Sequence, residues 1–272
     1  MAYHLKQRGV KAVYYHGQLD LFERNNNATT WLEGRSDVMC VTNAFGMGID
    51  KRDVRFVIHH SMPKSNEEYF QEAGRAGRDG SSSSCILLFR FQDRGKLLKH
   101  ISEIEDDAHK LNAKKRLDEI TKYCVDNKCR KQSMLNYFGQ TSQTGLCQMC
   151  DVCLNSLDSS TSQDVTSHAM DLINCIIEIL GVLAKVSPKC IIKVYRGHRT
   201  KDIVEKGLHT LPSFGKGKAI FKNDKGAFKL IHVLIAMGFL SENLHNAKDA
   251  NMTPFITVED HSDLSNGIRT IV

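Results

Sequence analysis

The sequence predicts an α/β domain with a parallel sheet, then a helical module with a cysteine cluster, then three helices and a hairpin. Strand-like and helix-like runs alternate through the first third of the chain, which favours a parallel sheet. Four cysteines at metal-ligand spacing follow. We place the three domains at 1–106, 107–156 and 157–272.

Composition narrows the class of protein. The chain has 272 residues, of which 41% are apolar and 25% charged, enough for two or three domains with cores of their own. A formal net charge of +6 permits nucleic-acid binding without establishing it. No apolar run approaches the ~18 residues of a membrane span, and no signal-peptide pattern opens the chain. Nine cysteines without a secretory signal favour a reducing compartment and metal binding over disulfides.

The first elements alternate between helix and strand. The pattern predicts a short helix over 1–9 that ends at a glycine, a strand over 10–15 and a helix over 21–32. Trp31 is expected on the inner face of that second helix. This order is typical of a parallel α/β sheet.

The next segment combines two strands with a glycine turn. Residues 37–42 are apolar and β-branched, as in a buried parallel strand, and 54–59 predict another strand. Between them lie Gly46 and Gly48, which allow the backbone a sharp turn and a close approach to a ligand.

A helix and two arginines follow. Ser65 and Glu68 have capping-box spacing, and the predicted helix ends at Gly74. Arg75 and Arg78 then lie three residues apart among glycines. Their planar, permanently charged guanidinium groups suit a polyphosphate. The alternative is that both arginines only pair with carboxylates at a helix end.

Three runs in this region carry a family resemblance: AFGMGID over 44–50, VRFVIH over 54–59 and QEAGRAGRDG over 71–80. They resemble motifs V and VI of superfamily 2 helicases. The residues of these runs are most similar to those of the RecQ family of ATP-dependent DNA helicases. The HHSM continuation over 59–62 resembles the short animal members. The resemblance implies that 1–106 is the second RecA-like lobe, with ATP and Mg²⁺ as cofactors shared with a first lobe.

The resemblance also implies roles for individual residues. Arg78 would be the arginine finger that stabilises charge on the γ-phosphate. Arg75 would sense the same phosphates, and Gln71 would orient the helix and the cleft contacts. A further set would couple the nucleotide state to the DNA backbone: Gly46, Gly48, Asp50 and Gly74.

Other parts of an ATP site are missing from the sequence. Gly215–Lys218 is basic and glycine-rich, but no strand leads into it and no Ser or Thr follows the lysine. Asp118 and Glu119 do not follow an apolar strand, so they do not form a magnesium-holding pair. In RecQ relatives these groups lie on the first lobe, and a strand precedes the first helix of the second. We therefore expect that this chain hydrolyses no ATP alone, and that either the sequence is truncated or the sheet of this lobe lacks an ordered edge.

The cysteine cluster is the second strong signal. Cys129, Cys147, Cys150 and Cys153 supply four thiolates for a tetrahedral, structural Zn²⁺. The zinc module of RecQ helicases resembles this layout, with its first ligand on a helix before a basic residue, here Arg130. The other cysteines are expected to be packing residues without ligand spacing: Cys40, Cys85, Cys124, Cys175 and Cys190.

Several elements are predicted around and beyond that cluster. A strand over 85–91 precedes a helix capped by Asp93, and further helices follow over 109–125 and 128–137. Residues 155–164 form a linker. Helices over 167–185, 201–208 and 225–238 then precede two strands, a pattern that resembles the winged-helix RQC domain of RecQ helicases.

In such a domain, duplex DNA is contacted by a helix-turn-helix face, by a basic turn and by the wing. The wing is the two-stranded hairpin that follows the helices. The candidate DNA contacts are Arg196, Arg199, Lys216, Lys218, Lys222 and His245. Short animal members carry an aromatic residue at the wing tip that splits base pairs, whereas this tip offers Leu244, His245 and Asn246. We therefore predict that His245→Ala changes unwinding little.

Two functions remain open at this point. The chain is either the C-terminal portion of a nuclear 3′→5′ DNA helicase that acts on forked DNA in repair, recombination or replication, or a non-catalytic DNA-binding or regulatory fragment. The arginines favour a lobe of a working motor, and the missing phosphate loop excludes ordinary ATP turnover by this chain alone.

Overall fold

A computed structural model describes residues 1–42, 45, 50–140, 146–155, 164–243, 254–267 and 271. These residues form two compact units, one of residues 1–59 and 69–86 and the other of residues 60–68 and 87–272. Within the described ranges, no helix is long and apolar enough to cross a membrane. Gly46, Gly48 and His245 lie outside the described residues.

The first unit alternates helices with short strands, as predicted. Its elements are α1 (Ala2–Gln7), β1 (Ala12–Tyr15), α2 (Leu21–Leu32), β2 (Val38–Val41), β3 (Phe56–His59), the end of α3 (Asn66–Ala73) and β4 (Ser84–Leu87). β1 and β2 pair in parallel, with Ala12 opposite Val38. β3 pairs with β4 in a separate two-stranded sheet. The predicted parallel pairing is thus confirmed for the first pair.

The predicted burial of β2 is wrong. Val41 on this strand is 49% exposed, and Ile58 on β3, for which burial was not predicted, is 51% exposed. Cys85 on β4, expected in the core, is also exposed. In the part of the chain that the structure describes, each of these sheets has two strands, so each strand has a neighbour on one side alone.

The second unit contains the remaining elements. They are α4 (Phe91–Ser102), α5 (Asp107–Val125), α6 (Arg130–Tyr137), α7 (Asp151–Asn155), α8 (Thr166–Val182), α9 (Pro188–Tyr195), α10 (Lys201–Glu205), α11 (Asp224–Ala236), β5 (Leu240–Asn243), β6 (Phe255–Val258) and α12 (Ser262–Ser265). β5 and β6 form the expected antiparallel hairpin, with Leu240 opposite Val258. Val186 adds an antiparallel bridge to Ile256 of β6.

The main hydrophobic core lies in this second unit. Fully buried side chains of α8, α9, α11 and β6 meet there, among them Ile173, Ile191, Ile231 and Ile256. The apolar face of α8 is wide and needs partners, and the residues of these elements cover it. Burial of this kind contributes about 2 kcal/mol for each large apolar side chain.

Some described elements differ from the sequence predictions. Phe91 begins α4 instead of ending a strand, and Asp93 lies buried within that helix rather than capping it. The helix predicted over 201–208 ends at Glu205. The helix α9 was missed, although Ser187 caps it through the Cys190 N–H and Pro188 occupies its first position.

Candidate functional site

The loop that carries the two arginines is anchored to the start of β3. The Gly77 N–H donates to the Val54 carbonyl at 3.0 Å, and the Asp79 N–H donates to that of Arg52 at 3.2 Å. Gly77 has a φ of 65°, and a Cβ there would lie 2.6 Å from the Ser83 Oγ. Only glycine therefore fits this position without strain.

An ion pair between Arg55 and Asp79 adds a second anchor. One Arg55 nitrogen lies 2.7 Å from both carboxylate oxygens of Asp79. The Arg55 guanidinium, together with the Ser81 N–H, holds the pKa of Asp79 below its usual range. The same arginine donates to the Ser82 carbonyl at 3.0 Å, so it spans the loop that follows the motif.

Within this anchored loop, Arg78 pairs with Asp50, and the roles predicted for both residues stay predictions. The Arg78 Nη1 donates to the Asp50 Oδ1 at 3.0 Å, with side chains 38% and 61% exposed. Arg75 is half-buried, and Gln71 and Gly74 are exposed. The geometry therefore leaves the Arg78 guanidinium accessible to a phosphate, but it also fits simple pairing with a carboxylate.

The helix α3, which leads into the loop, begins with the Ser65 cap predicted from the sequence, whereas the Glu68 side chain accepts from Lys64 instead of from Ser65. The Glu68 N–H donates to the Ser65 Oγ at 3.2 Å, and the Lys64 N–H donates to the Glu68 Oε2 at 2.6 Å. Towards its end, the Glu72 Oε2 lies 2.8 Å from the Nε2 of His59 on β3. Both helix ends are thus fixed by side chains that the sequence places around the motif.

The four predicted cysteines form one cluster. The Sγ atoms of Cys129, Cys147, Cys150 and Cys153 lie within 4.8 Å of one another, and those of Cys147 and Cys153 are 3.8 Å apart. Zinc–sulfur bonds of ~2.3 Å in a tetrahedron place sulfur atoms ~3.8 Å apart. The donor set and its spacing therefore fit Zn²⁺, which would crosslink the module.

Hydrogen-bond donors around the cluster lower the pKa values of Cys129 and Cys150, whereas burial raises that of Cys153 to about 12. The N–H groups of Arg130 and Cys153 point at the Cys150 Sγ, at 3.4 and 3.5 Å. Burial opposes ionisation of Cys129, yet hydrogen bonds, the first from the backbone of Gln132, lower its pKa to about 6. Cys124 stays outside the cluster as predicted, and burial raises its pKa to about 12.

Arg130 and Asp151 join the two halves of the cysteine module. The Arg130 Nε lies 3.0 Å from one Asp151 oxygen, and its Nη1 also donates to the carbonyls of Tyr123 and Asp126. The guanidinium therefore holds the helix before Cys129 against the helix that carries Cys153. The sequence pointed to Arg130, whereas nothing in the local pattern marked Asp151 as its partner.

The predicted basic turn packs against the end of α9. The Gly215 N–H donates to the Val194 carbonyl at 3.0 Å, and a Cβ on Gly217 would lie 2.4 Å from the Tyr195 ring. The turn is a short 3₁₀ segment, Lys216–Lys218, and not the start of a helix after a strand. The exposed residues among the DNA candidates are Arg199, Lys216, Lys218 and Lys222.

Arg196 differs from the other candidates. Its side chain is 13% exposed, and its Nε lies 3.3 Å from Asp224 at the start of α11. His198 Nε2 lies 3.3 Å from the same carboxylate oxygen. Arg196 thus lies between α9 and α11, and its contact with a DNA phosphate stays a prediction.

Comparison with known proteins decides the family. The profile described as "Helicase conserved C-terminal domain" matches residues 1–80. The profile described as "RecQ zinc-binding" matches 91–154, with all four cysteines, and that described as "RQC domain" matches 159–261. The chain belongs to the RecQ helicase family. The fold class predicted from the sequence, a helicase lobe followed by a zinc module and an RQC domain, is confirmed in that order.

Individual RecQ relatives are much longer than this chain. The ATP-dependent DNA helicase hus2/rqh1 of Schizosaccharomyces pombe is 35% identical over 92% of the chain and 18% of its own length. The RecQ-like DNA helicase blm-1 of Caenorhabditis elegans is 32% identical over 98% of the chain and 28% of its own length. A solved structure of the E. coli DEAD-box protein SrmB bound to RraA matches at 30% identity and a TM-score of 0.32, over 39% of this chain and 62% of that one.

Proposed function

We propose that this chain supplies the arginine finger, the structural zinc and the duplex-binding winged helix of an ATP-dependent 3′→5′ DNA helicase. Its partners would be forked DNA and a first RecA-like lobe that holds ATP and Mg²⁺, and its place of action the nucleus. The observation that carries the proposal is the order of the three parts: an anchored, accessible Arg78, a four-cysteine cluster and an RQC domain with exposed lysines.

Each part would make a separate contribution to unwinding. During phosphoryl transfer, charge accumulates on the γ-phosphate oxygens, and the Arg78 guanidinium would stabilise it once the pair with Asp50 is exchanged. Zn²⁺ held by the four cysteines would supply a crosslink between the segments that carry Cys129 and Cys153. The lysines of the basic turn, Lys216 and Lys218, would neutralise DNA phosphates.

The experiment that tests the finger uses a complete helicase, in which this chain is joined to a matching first lobe. Arg78→Ala should lower DNA-stimulated ATP turnover by about 10³-fold or more while DNA affinity is unchanged. Arg52→Ala is the matched control, because Arg52 lies near the same Asp50 carboxylate, at 3.9 Å, and is 78% exposed. Turnover retained in Arg78→Ala would remove the finger assignment.

One observation favours a second candidate, a non-catalytic DNA-binding fragment. The core of the winged-helix domain is built from residues between 169 and 271 and needs no side chain of the helicase lobe. Such a domain can bind duplex DNA without nucleotide. If the chain binds DNA but never supports ATP turnover with any first lobe, this second function replaces the first.

A further inference from the structure

A buried arginine joins the zinc-binding region to the strand that leads into the wing. Arg94, in the first turn of α4, is 1% exposed. Its Nε donates to Glu242 Oε2 at 2.9 Å, and its Nη1 donates to Thr121 Oγ1 at 3.0 Å. Its Nη2 donates to Asp118 Oδ1 at 2.6 Å. Each guanidinium nitrogen therefore has a partner of its own.

The partners belong to two different parts of the chain. Asp118 and Thr121 lie on α5, within the zinc-binding match, whereas Glu242 lies on β5, within the RQC match. Thr121 donates its own hydroxyl proton to the Leu117 carbonyl at 2.6 Å, so its oxygen is free to accept from Arg94. One side chain thus connects α4, α5 and the base of the β5–β6 hairpin.

Two further contacts lie in the same interface. Lys114 on α5 donates to Ser241 Oγ on β5 at 3.0 Å, and it lies 3.3 Å from Asp118. Phe91 on α4 stacks on His232 of α11, with ring centroids 3.8 Å apart and planes 6° from parallel. The charges of this group balance, because Arg94 and Lys114 face two carboxylates and His232 is neutral at pH 7, its pKa lowered to about 4 by burial and then by Arg94.

Such a network fixes the relative orientation of the elements that it joins more than it raises the free energy of unfolding. Replacing a buried ion pair by apolar residues of similar volume is often neutral for stability, because desolvation offsets the attraction between the charges. The planar guanidinium fork, however, donates to all of its partners in only one geometry. Rotation of the hairpin relative to α5 would break the bond to Glu242 and leave a buried charge without its partner.

We propose that Arg94 is a positioning residue for the wing: it sets the orientation of the β5–β6 hairpin relative to the zinc-binding helices, and DNA binding by the hairpin depends on that orientation. The inference rests on the proposed function, in which the winged domain contacts duplex DNA. Arg94 itself touches no DNA, because its side chain is buried.

The test separates orientation from stability with three variants of the full chain. Arg94→Met alone leaves Glu242 buried without its charge partner, so the unfolding temperature should fall by about 10 °C. The double variant Arg94→Met/Glu242→Met should recover most of that loss. The variant Arg94→Lys keeps the positive charge. A lysine amine, however, cannot bind Glu242, Thr121 and Asp118 in the fixed geometry of the guanidinium fork. In both the double variant and Arg94→Lys, affinity for a forked duplex should stay reduced by about fivefold or more.

A double-mutant cycle identifies the element through which Arg94 acts. In a chain whose residues 244–253 are replaced by a short Gly–Ser turn, DNA affinity should be lower, and the Arg94→Met/Glu242→Met change should then have no further effect. Additive losses, or wild-type affinity in the double variant, would overturn the positioning role while leaving the proposed function intact. If the turn replacement itself leaves affinity unchanged, the wing does not bind DNA, and both the DNA role of the wing and this inference fail.

Discussion

Arg78 donates to Asp50 at 3.0 Å, although 28 residues separate them in the chain. The pair joins the two helicase-like motifs, and both of its side chains are substantially exposed. Exposed pairs of this kind contribute about 0–1 kcal/mol to stability. The interaction is therefore weak enough to be exchanged for a nucleotide phosphate.

The contribution of the Arg78–Asp50 pair to the free energy of unfolding distinguishes two roles for Arg78. In one role it is an arginine finger, and in the other it only holds the loop. We expect Asp50→Ala to change the free energy of unfolding by less than about 1 kcal/mol, as measured by urea denaturation. Arg52→Ala, on the exposed neighbour of the same carboxylate, is the control. A loss of about 3 kcal/mol or more in Asp50→Ala alone would favour the alternative in which Arg78 serves only to hold the loop.

Zinc removal should unfold the cysteine module but not the winged domain. Cys150→Ser removes one of the four clustered ligands, and structural zinc contributes on the order of 10 kcal/mol to small modules. We expect the variant to be purified with less than one zinc per chain and to lose helical circular dichroism from α6 and α7. Cys124→Ser, five residues before the first ligand, should retain full zinc content; loss of zinc from that control instead would contradict the ligand assignment.

His232 makes the stability of the second unit depend on pH. Burial, and then the charge of Arg94, lowers its pKa to about 4, whereas an unfolded histidine titrates near 6.5. Because the folded-state pKa is depressed, the unfolded chain binds the proton first. Stability is therefore fully present above pH ~6.5 and is lost as pH falls towards 4, by about 3 kcal/mol at most.

The check is a comparison of urea midpoints between pH 7 and pH 4.5 for the wild type and His232→Phe. The phenyl ring can keep the stack on Phe91 without a titrating group. We expect the wild type to lose more stability than the variant across this range. Equal losses in both chains would show that His232 does not contribute to the pH dependence.

The sequence predicted those features that depend on local pattern. The cysteine spacing led to the cluster of sulfur atoms, and the Ser65–Glu68 spacing led to the observed helix cap. The glycines and arginines of 71–80 predicted a site for a polyphosphate or for carboxylate pairing, and in the structure Arg78 pairs with Asp50. For these features, a few neighbouring residues determine the geometry.

Features that depend on distant neighbours were not predictable in this way. Arg94 and Glu242 are 148 residues apart, so no local pattern marks either as buried. The burial of β2 was predicted wrongly because it depends on which strands lie beside it. Helix α9 is eight residues long, and the Ser187–Pro188 start signal was the sole local indication of its presence.

The most direct test of DNA binding by this chain is fluorescence anisotropy of a labelled fork, titrated at 50 mM and 200 mM salt. The account predicts binding that weakens steeply with salt, and a slope of log K against log salt that is shallower by about two in Lys216→Ala/Lys218→Ala. Lys128→Ala/Lys131→Ala, with both lysines exposed in the zinc-binding region, is the matched control and should leave the slope unchanged. Absence of binding at 50 mM salt, or an unchanged slope in the Lys216/Lys218 variant, would contradict a DNA-binding role for the winged domain.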